Sequence, residues 1–184
     1  MSALMSRLRD DHVNVEKLLQ VLEHQVARAA GGDSPDYDLL EDVVEYFLAY
    51  PEAYHHPLEN LVYHRLAAAR PDRKAELGNL ETDHTRITAE THSLANLLRL
   101  ILQDGAVSHQ DFQSALEAFV VSQRRHMVAE EETFFPLAEE ALASADWDAL
   151  DIQAEQRADP VFGSTVEARF KALRDRIFSW DDDS

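Results

Sequence analysis

Apolar residues recur every three to four positions over most of the chain, a spacing that predicts amphipathic α-helices. The first such pattern covers about 3–30 and ends where two glycines begin at Gly31. The second covers about 36–69, and it contains Pro51 and Pro57. Because proline lacks a backbone N–H, we expect this second helix to be kinked or broken near 51–57.

Two further helical patterns cover roughly 72–103 and 108–143, and Pro136 is expected to kink the last turns of the later one. Long helices with short joins are typical of an antiparallel up-down four-helix bundle. The sequence therefore predicts an all-α fold, with the bundle in 1–145. The remainder, 146–184, is predicted to form a helical extension that packs on the bundle.

The composition excludes several functional classes. The chain has 184 residues, with 17 Lys and Arg against 35 Asp and Glu, so its formal net charge is −18. An acidic surface of this kind repels phosphate backbones and anionic lipids, so we expect neither nucleic acid nor membrane as a partner. The absence of cysteine rules out disulfides, thiolate zinc sites and iron–sulfur clusters. With no signal-like or membrane-spanning apolar run, the expected location is cytoplasmic.

Histidines and glutamates interrupt the apolar faces of the predicted helices. At about 100° per residue, each of the four helices places a histidine on its apolar face. On the second and fourth helices a glutamate follows one turn later, in the pattern HxxxE, and therefore shares that face. The inward-facing set is His12, His55, Glu59, His84, His126 and Glu130.

This set predicts a metal centre. A buried carboxylate is costly unless it is paired or bound to a metal. Six ligands are too many for one tetrahedral zinc, but they suit two octahedral ions that share bridging carboxylates. Mixed imidazole and carboxylate donors favour iron over magnesium or calcium, although manganese would also be accepted. The expected cofactor is therefore a pair of Fe ions.

The other histidines are interpreted differently. His24, His64, His92 and His109 fall off the apolar faces or in loops and are predicted to lie on the surface. His56 is ambiguous, since it follows an inward histidine and a proline disturbs the local helical phase. It is the expected replacement ligand if the assumed register is wrong.

Several polar residues near the predicted centre have open roles. Glu16, Glu81 and Asp83 are candidates to accept the second N–H of a metal-bound imidazole, and this role is favoured for Glu16 over direct ligation. Tyr54 could reach a ferric ion as a phenolate, although packing at the rim is favoured. Thr88 lies four residues after His84 and is expected to face inward.

With these residues placed, the sequence resembles the hemerythrin-like (HHE cation-binding) family over about residues 5–145. The resemblance is carried by the stretches RDDHVNVEKLL, YHHPLENLVYHRL, ETDH and RRHMVAEEETFFPLAEEAL. It implies a four-helix bundle around a non-haem di-iron centre with oxo- or hydroxo- and carboxylate bridges. Carried over residue by residue, it implies as metal ligands His12, His55, Glu59, His84, His126 and Glu130.

One departure bears on activity. Oxygen-carrying members of the family have a further histidine where this chain has Thr88. A centre with one imidazole fewer is more open, which favours chemistry with hydrogen peroxide, dioxygen or nitric oxide over protected oxygen carriage. The resemblance therefore implies catalase-like disproportionation of hydrogen peroxide. The alternative is an O2, NO or iron sensor or store without turnover. In either case we expect a monomer or a weak homo-oligomer.

Overall fold

A computed structural model describes residues 2–73, 75–103, 107–154 and 158–181, and within these ranges every regular element is a helix. The all-α prediction is therefore confirmed. The α-helices are α1 (Ala3–Ala30), α2 (Tyr37–Ala49), α3 (His56–Ala69), α4 (Leu80–Leu102), α5 (His109–Ala129), α6 (Phe135–Ala141), α7 (Ser144–Gln153) and α8 (Lys171–Asp181). Two π-helical turns, Pro51–His55 and Glu130–Phe134, join α2 to α3 and α5 to α6. Short 3-10 turns occupy Pro71–Arg73 and Ala168–Phe170.

Each π-helical turn ends just before a proline. The backbone N–H of His56 donates to the carbonyl of Pro51, five residues earlier, and Pro57 follows. The N–H of Phe135 donates to Glu130 in the same way, and Pro136 follows. Because a proline has no N–H for the carbonyl four residues before it, the regular pattern is interrupted at both places. The disturbances predicted near 51–57 and at Pro136 are thus present as π-helical turns.

The predicted start of the third long helix was wrong. The structure begins α4 at Leu80, not near residue 72. Gly78 has a φ of 64°, in the left-handed region that favours glycine, and this conformation interrupts a helix. The side chain of Asn79 then caps α4 by accepting a hydrogen bond from the backbone N–H of Thr82.

The apolar core is divided into two clusters. One packs the C-terminal half of α1 against α2, α4, most of α5 and α8. The other packs the start of α1 against α3, α6 and α7. On α1, Leu8 belongs to the second cluster and Val15 to the first, and the buried pair Asp11 and His12 lies between them. A layer of buried polar residues therefore separates the two clusters.

The segment after α6 also packs on the earlier helices. Helix α7 contacts α1 and α3, and α8 contacts α1 and α2. Asp159 is buried, and its carboxylate accepts hydrogen bonds from the Tyr46 hydroxyl and from the backbone N–H groups of Val161 and Phe162. None of the helices in the described ranges is long and apolar enough to cross a membrane.

Candidate metal centre

The buried polar layer contains all six residues that the helical faces predicted. Each is at most 6% exposed, and the two glutamates are 0% and 1% exposed. Helices α1, α4 and α5 contribute one histidine each, whereas the first π-helical turn and α3 together supply the first HxxxE pair. The second pair begins at the end of α5 and finishes at the first residue of the second π-helical turn. The residues are His12, His55, Glu59, His84, His126 and Glu130.

Glu59 lies between two groups of imidazoles. Its Oε1 is 3.3 Å from Nε2 of His55 and 3.6 Å from Nε2 of His12. Its Oε2 is 3.2 Å from Nε2 of His84 on the other side. One carboxylate therefore offers one oxygen to each group, which is the arrangement of a bridging ligand.

Glu130 divides its oxygens between the same two groups. Its Oε2 is 3.4 Å from Nε2 of His12. Its Oε1 is 3.1 Å from Nε2 of His126 and 3.3 Å from Nε2 of His84. The two glutamates, from different helices, thus lie between the same pair of imidazole groups.

A fifth imidazole joins the layer. His56 is buried, its ring stacks on His84 with centroids 4.3 Å apart, and it meets His126 edge-on at 5.6 Å. Potential ligand atoms from His56, Glu59, His84 and His126 all lie within 4.8 Å of one another, as do those from His12, His55 and Glu59.

His56 lies beside His84, where it could supply the imidazole that Thr88 does not. The signal was present in the sequence as adjacent histidines before Pro57. What sequence reasoning lacked was the π-helical turn, which lets both His55 and His56 be buried. Thr88 itself is half-buried.

Unsatisfied polar atoms give an independent test of whether this layer fits metal ions. Buried polar atoms are nearly always hydrogen-bonded in folded proteins. Here several buried atoms of the layer have no hydrogen-bond partner in the described residues. They are Nε2 of His12, Nδ1 of His56, Nε2 of His126, both carboxylate oxygens of Glu59 and Oε2 of Glu130. Lone pairs in this arrangement fit cations bound between them.

Electrostatics distinguish the imidazoles. Burial alone would lower the pKa of His12 and His84, but the neighbouring carboxylates Glu130 and Glu59 raise both to about 9. Burial likewise opposes charge on His55, yet Glu59 and Asp11 raise its pKa well above the ordinary value.

The pKa values of His56, His126 and Glu59 are lowered instead. Burial and the nearby His84 ring hold the pKa of His56 well below its ordinary value, and burial also lowers the pKa of His126. Burial disfavours charge on Glu59, but His55 and the other surrounding imidazoles keep the pKa of this carboxyl well below its usual range. The surroundings therefore favour the charged form of His12, His55, His84 and Glu59 and the neutral form of His56 and His126.

Outer hydrogen bonds fix the orientation of three imidazoles. Nδ1 of His55 lies 3.1 Å from Oδ2 of Asp11, and Nδ1 of His84 lies 2.9 Å from Oδ1 of Asn60. Nδ1 of His12 lies 3.0 Å from Oε1 of Glu131. Each acceptor fixes the N–H on Nδ1 and leaves Nε2 to face the glutamates.

The acceptors expected from sequence were wrong. Glu16 pairs instead with Arg124 at 2.7 Å on the surface. Glu81 contacts the exposed His64, and Asp83 lies beside Arg86. These acidic residues are close to the ligands in sequence, but their helical phase directs them outward.

The histidines predicted to lie on the surface are all exposed, namely His24, His64, His92 and His109. Tyr54 is half-buried, and its ring stacks on Tyr50 with centroids 6.1 Å apart.

Comparison with known protein families gives one match. The model of the hemerythrin HHE cation binding domain matches residues 3–138, which include every residue of the buried polar layer. No curated protein and no solved structure matches the chain.

Proposed function

Since the chain belongs to the hemerythrin HHE cation-binding domain family, we propose that it is a non-haem di-iron protein that reacts with peroxide or dioxygen. Catalase-like disproportionation of hydrogen peroxide is the favoured activity. The observation that carries the proposal is the position of Glu59 and Glu130, each with one oxygen toward each imidazole group.

In this proposal the metal ligands are divided between two positions. One ion would be held by His12 and His55, and the other by His84 and His126, with His56 as a further potential donor on the second side. Glu59 and Glu130, which lie between the two imidazole groups, would supply carboxylate oxygens to both ions. The complete set of proposed ligands is His12, His55, His56, Glu59, His84, His126 and Glu130.

The iron pair, when bound, would act as a Lewis acid and supply or accept two electrons. The surrounding residues keep the imidazoles ready to bind it. Asp11, Asn60 and Glu131 hold the protons of His55, His84 and His12 on Nδ1, so that Nε2 is free for the metal.

Accessibility favours turnover over protected carriage. An open groove of about 810 Å³ between α1 and the end of α5 reaches the side chain of His12. A small reactant can therefore approach the layer without unfolding the helices.

The activity is tested by oxygen evolution from hydrogen peroxide with iron-loaded protein. The wild type is expected to evolve oxygen, and His126→Ala and Glu59→Ala are expected to lose both iron and oxygen evolution. Retained activity in either variant would contradict the assignment. His92→Ala, which changes an exposed histidine, is the matched control.

Reversible ligand binding is the second candidate function, because His56 restores the imidazole that Thr88 lacks. A sensor or store of this kind would bind O2, NO or iron without turnover. It would show a reversible change in its absorption spectrum on exposure to O2 or NO, and no oxygen evolution from peroxide.

Several broader features remain part of the proposal. The helices of residues 1–145 are proposed to form the antiparallel up-down four-helix bundle, with 146–184 as an extension packed on it. Manganese instead of iron, a cytoplasmic location, and a monomer or weak homo-oligomer stay predictions from the sequence.

A further inference from the structure

The groove beside His12 is open, and most of the surface that lines it is apolar. It runs between α1 and the end of α5, and two of its valines are unusually exposed, Val13 at 59% and Val128 at 50%. Charged side chains, among them Arg124 and Glu132, also line it. The groove has a volume of about 810 Å³, large enough to admit small molecules freely.

A second, much smaller cavity borders the buried polar layer. Its volume is about 10 Å³, close to what a single water molecule requires. The imidazoles on its wall are His12, His55, His56 and His126. Val15, Phe47, Pro51, Gln123 and Met127 complete the wall.

Only His12 and Met127 line both the groove and the cavity, within the described residues. His12 is fixed, because Glu131 holds its Nδ1 and the bridging carboxylates lie against its Nε2. Met127 packs within the apolar cluster that includes α1, α2 and α5, and it is 9% exposed. Since methionine is unbranched and has three rotatable side-chain bonds, Met127 is the part of this partition that can move.

Gln123 provides a polar group on the inner side of the partition. It lies one helical turn before Met127 on α5, so the two side chains share a face. It is only 3% exposed and lines the cavity. Its amide can both donate and accept a hydrogen bond, which apolar neighbours such as Val15 and Phe47 cannot.

We propose that the groove between α1 and α5 is the ligand entrance of the metal centre, that Met127 is the side chain that opens and closes it, and that Gln123 hydrogen-bonds the ligand inside. This inference rests on the proposed function. Because the cavity is about the size of one water molecule, it favours very small polar ligands such as hydrogen peroxide, and a larger ligand requires Met127 to move.

The test is the kinetics of azide binding to iron-loaded protein, followed by stopped-flow absorbance. Val128→Trp narrows the groove at an exposed position, and Val121→Trp places the same ring on α5 outside the groove. We expect Val128→Trp to lower the association rate constant at least about tenfold, as obstruction of a gated route does. The dissociation rate constant should fall by the same factor, so Kd stays unchanged, and Val121→Trp should behave as wild type.

Two further variants test the inner residues. Met127→Ala should accelerate both association and dissociation without a change in Kd. Gln123→Met preserves chain length but removes the amide, so it should raise the dissociation rate constant about 5- to 100-fold, the effect of losing one buried hydrogen bond, with association unchanged.

Iron content is measured first in every variant, so that two failures can be told apart. Protein without iron would contradict the proposed function and, with it, the entrance. Iron-loaded Val128→Trp protein with wild-type association kinetics, or with a changed Kd and unchanged association, would overturn the entrance and leave the metal centre intact. Wild-type azide dissociation in Gln123→Met would overturn the role of the amide.

Discussion

The two HxxxE segments differ most in the residue that follows the histidine. In the first, His55 is followed by His56, and in the second, His126 is followed by Met127. All four side chains are buried, and each segment includes a π-helical turn that ends just before a proline. His56 adds an imidazole to the buried polar layer, whereas Met127 lines both the small cavity beside that layer and the outer groove. The two segments have similar backbones, but the residue after the histidine is a potential metal donor in the first and an apolar side chain in the second.

The position of the π-helical turn also differs between the segments. The first turn ends at His55, so Glu59 follows in regular α-helix, whereas the second begins at Glu130. Both arrangements nevertheless bring the glutamate within about one hydrogen-bond length of its own histidine, at 3.3 Å for the first and 3.1 Å for the second. The i, i+4 spacing of histidine and glutamate is therefore what the two segments share, whereas the π-helical turn lies at a different place relative to that pair.

The largest effect is expected from a change that removes what the two segments share. Glu59→Gln preserves the shape of the side chain but removes the charge that faces both imidazole groups. The protein should then lose both metal ions while staying helical, as measured by elemental analysis and circular dichroism. Glu132→Gln, an exposed neighbour of the second pair, is the control. Two metal ions per chain in the Glu59 variant would exclude a bridging role.

The next largest effect comes from making the first segment resemble the second. His56→Met reproduces the His-Met pair of the second segment and removes a donor only from the His84 side. The affinity for the metal ion on that side should fall by at least about 10–100-fold, because losing even a residue that only hydrogen-bonds a metal ligand costs that much. The ion on the His12 side should stay bound. Metal titration monitors both sites. His64→Met on the exposed face of α3 is the control, and equal affinity in both variants would show that His56 is a packing residue.

The residues in these two predictions also show which parts of the candidate site could be predicted from the sequence and which could not. Helical periodicity placed six polar residues on apolar faces, because each face depends only on local spacing. His56 was left ambiguous because the π-helical turn changes the local register, and no composition rule locates such a turn. Asn60 and Glu131 were missed as acceptors, since their positions depend on how helices pack. The early start predicted for α4 failed because Gly78 and Asn79 interrupt an otherwise helical pattern.

A smaller effect is expected from an outer partner of the first segment. Asp11 accepts hydrogen bonds from Nδ1 of His55 and from the Tyr50 hydroxyl. Asp11→Asn removes the negative charge behind His55, so metal affinity should fall about 10–100-fold with the same stoichiometry. A competitive chelator titration measures this change. Asp10→Asn, at the adjacent exposed position, should leave the affinity unaltered; an equal loss there would mean that general charge, not the hydrogen bond, is responsible.

The smallest effect is expected at Asp159, which lies outside both HxxxE segments and serves as a comparison with them. Burial raises the pKa of Asp159. The pKa of the Asp159 carboxyl is higher in the folded protein than in the unfolded chain. Its contribution to the free energy of unfolding is therefore greatest below the unfolded pKa, near 3.8, and is lost as the pH rises through the folded-state pKa. In Asp159→Asn the amide oxygen can still accept from Val161 and Phe162, and no charge is buried. Relative to wild type, this variant should therefore become more stable as the pH rises above the unfolded pKa near 3.8.

Chemical denaturation at several pH values measures that difference. Asp159→Ala is the contrasting variant, because it leaves the Tyr46 hydroxyl and two backbone N–H groups without their acceptor. It should be destabilised by about 1–3 kcal/mol or more at all pH values. Parallel pH profiles for wild type and Asp159→Asn would contradict the raised pKa, and unchanged metal content in both variants would confirm that this region is independent of the centre.

The central claim is that two metal ions lie between the imidazole groups and share Glu59 and Glu130. Metal content per chain, measured by elemental analysis of protein purified from iron-supplied cells, tests it most directly. The account predicts two irons per chain. One zinc, or no metal in a protein with its helices intact, would contradict it and leave the buried histidines and glutamates as a hydrogen-bonded core.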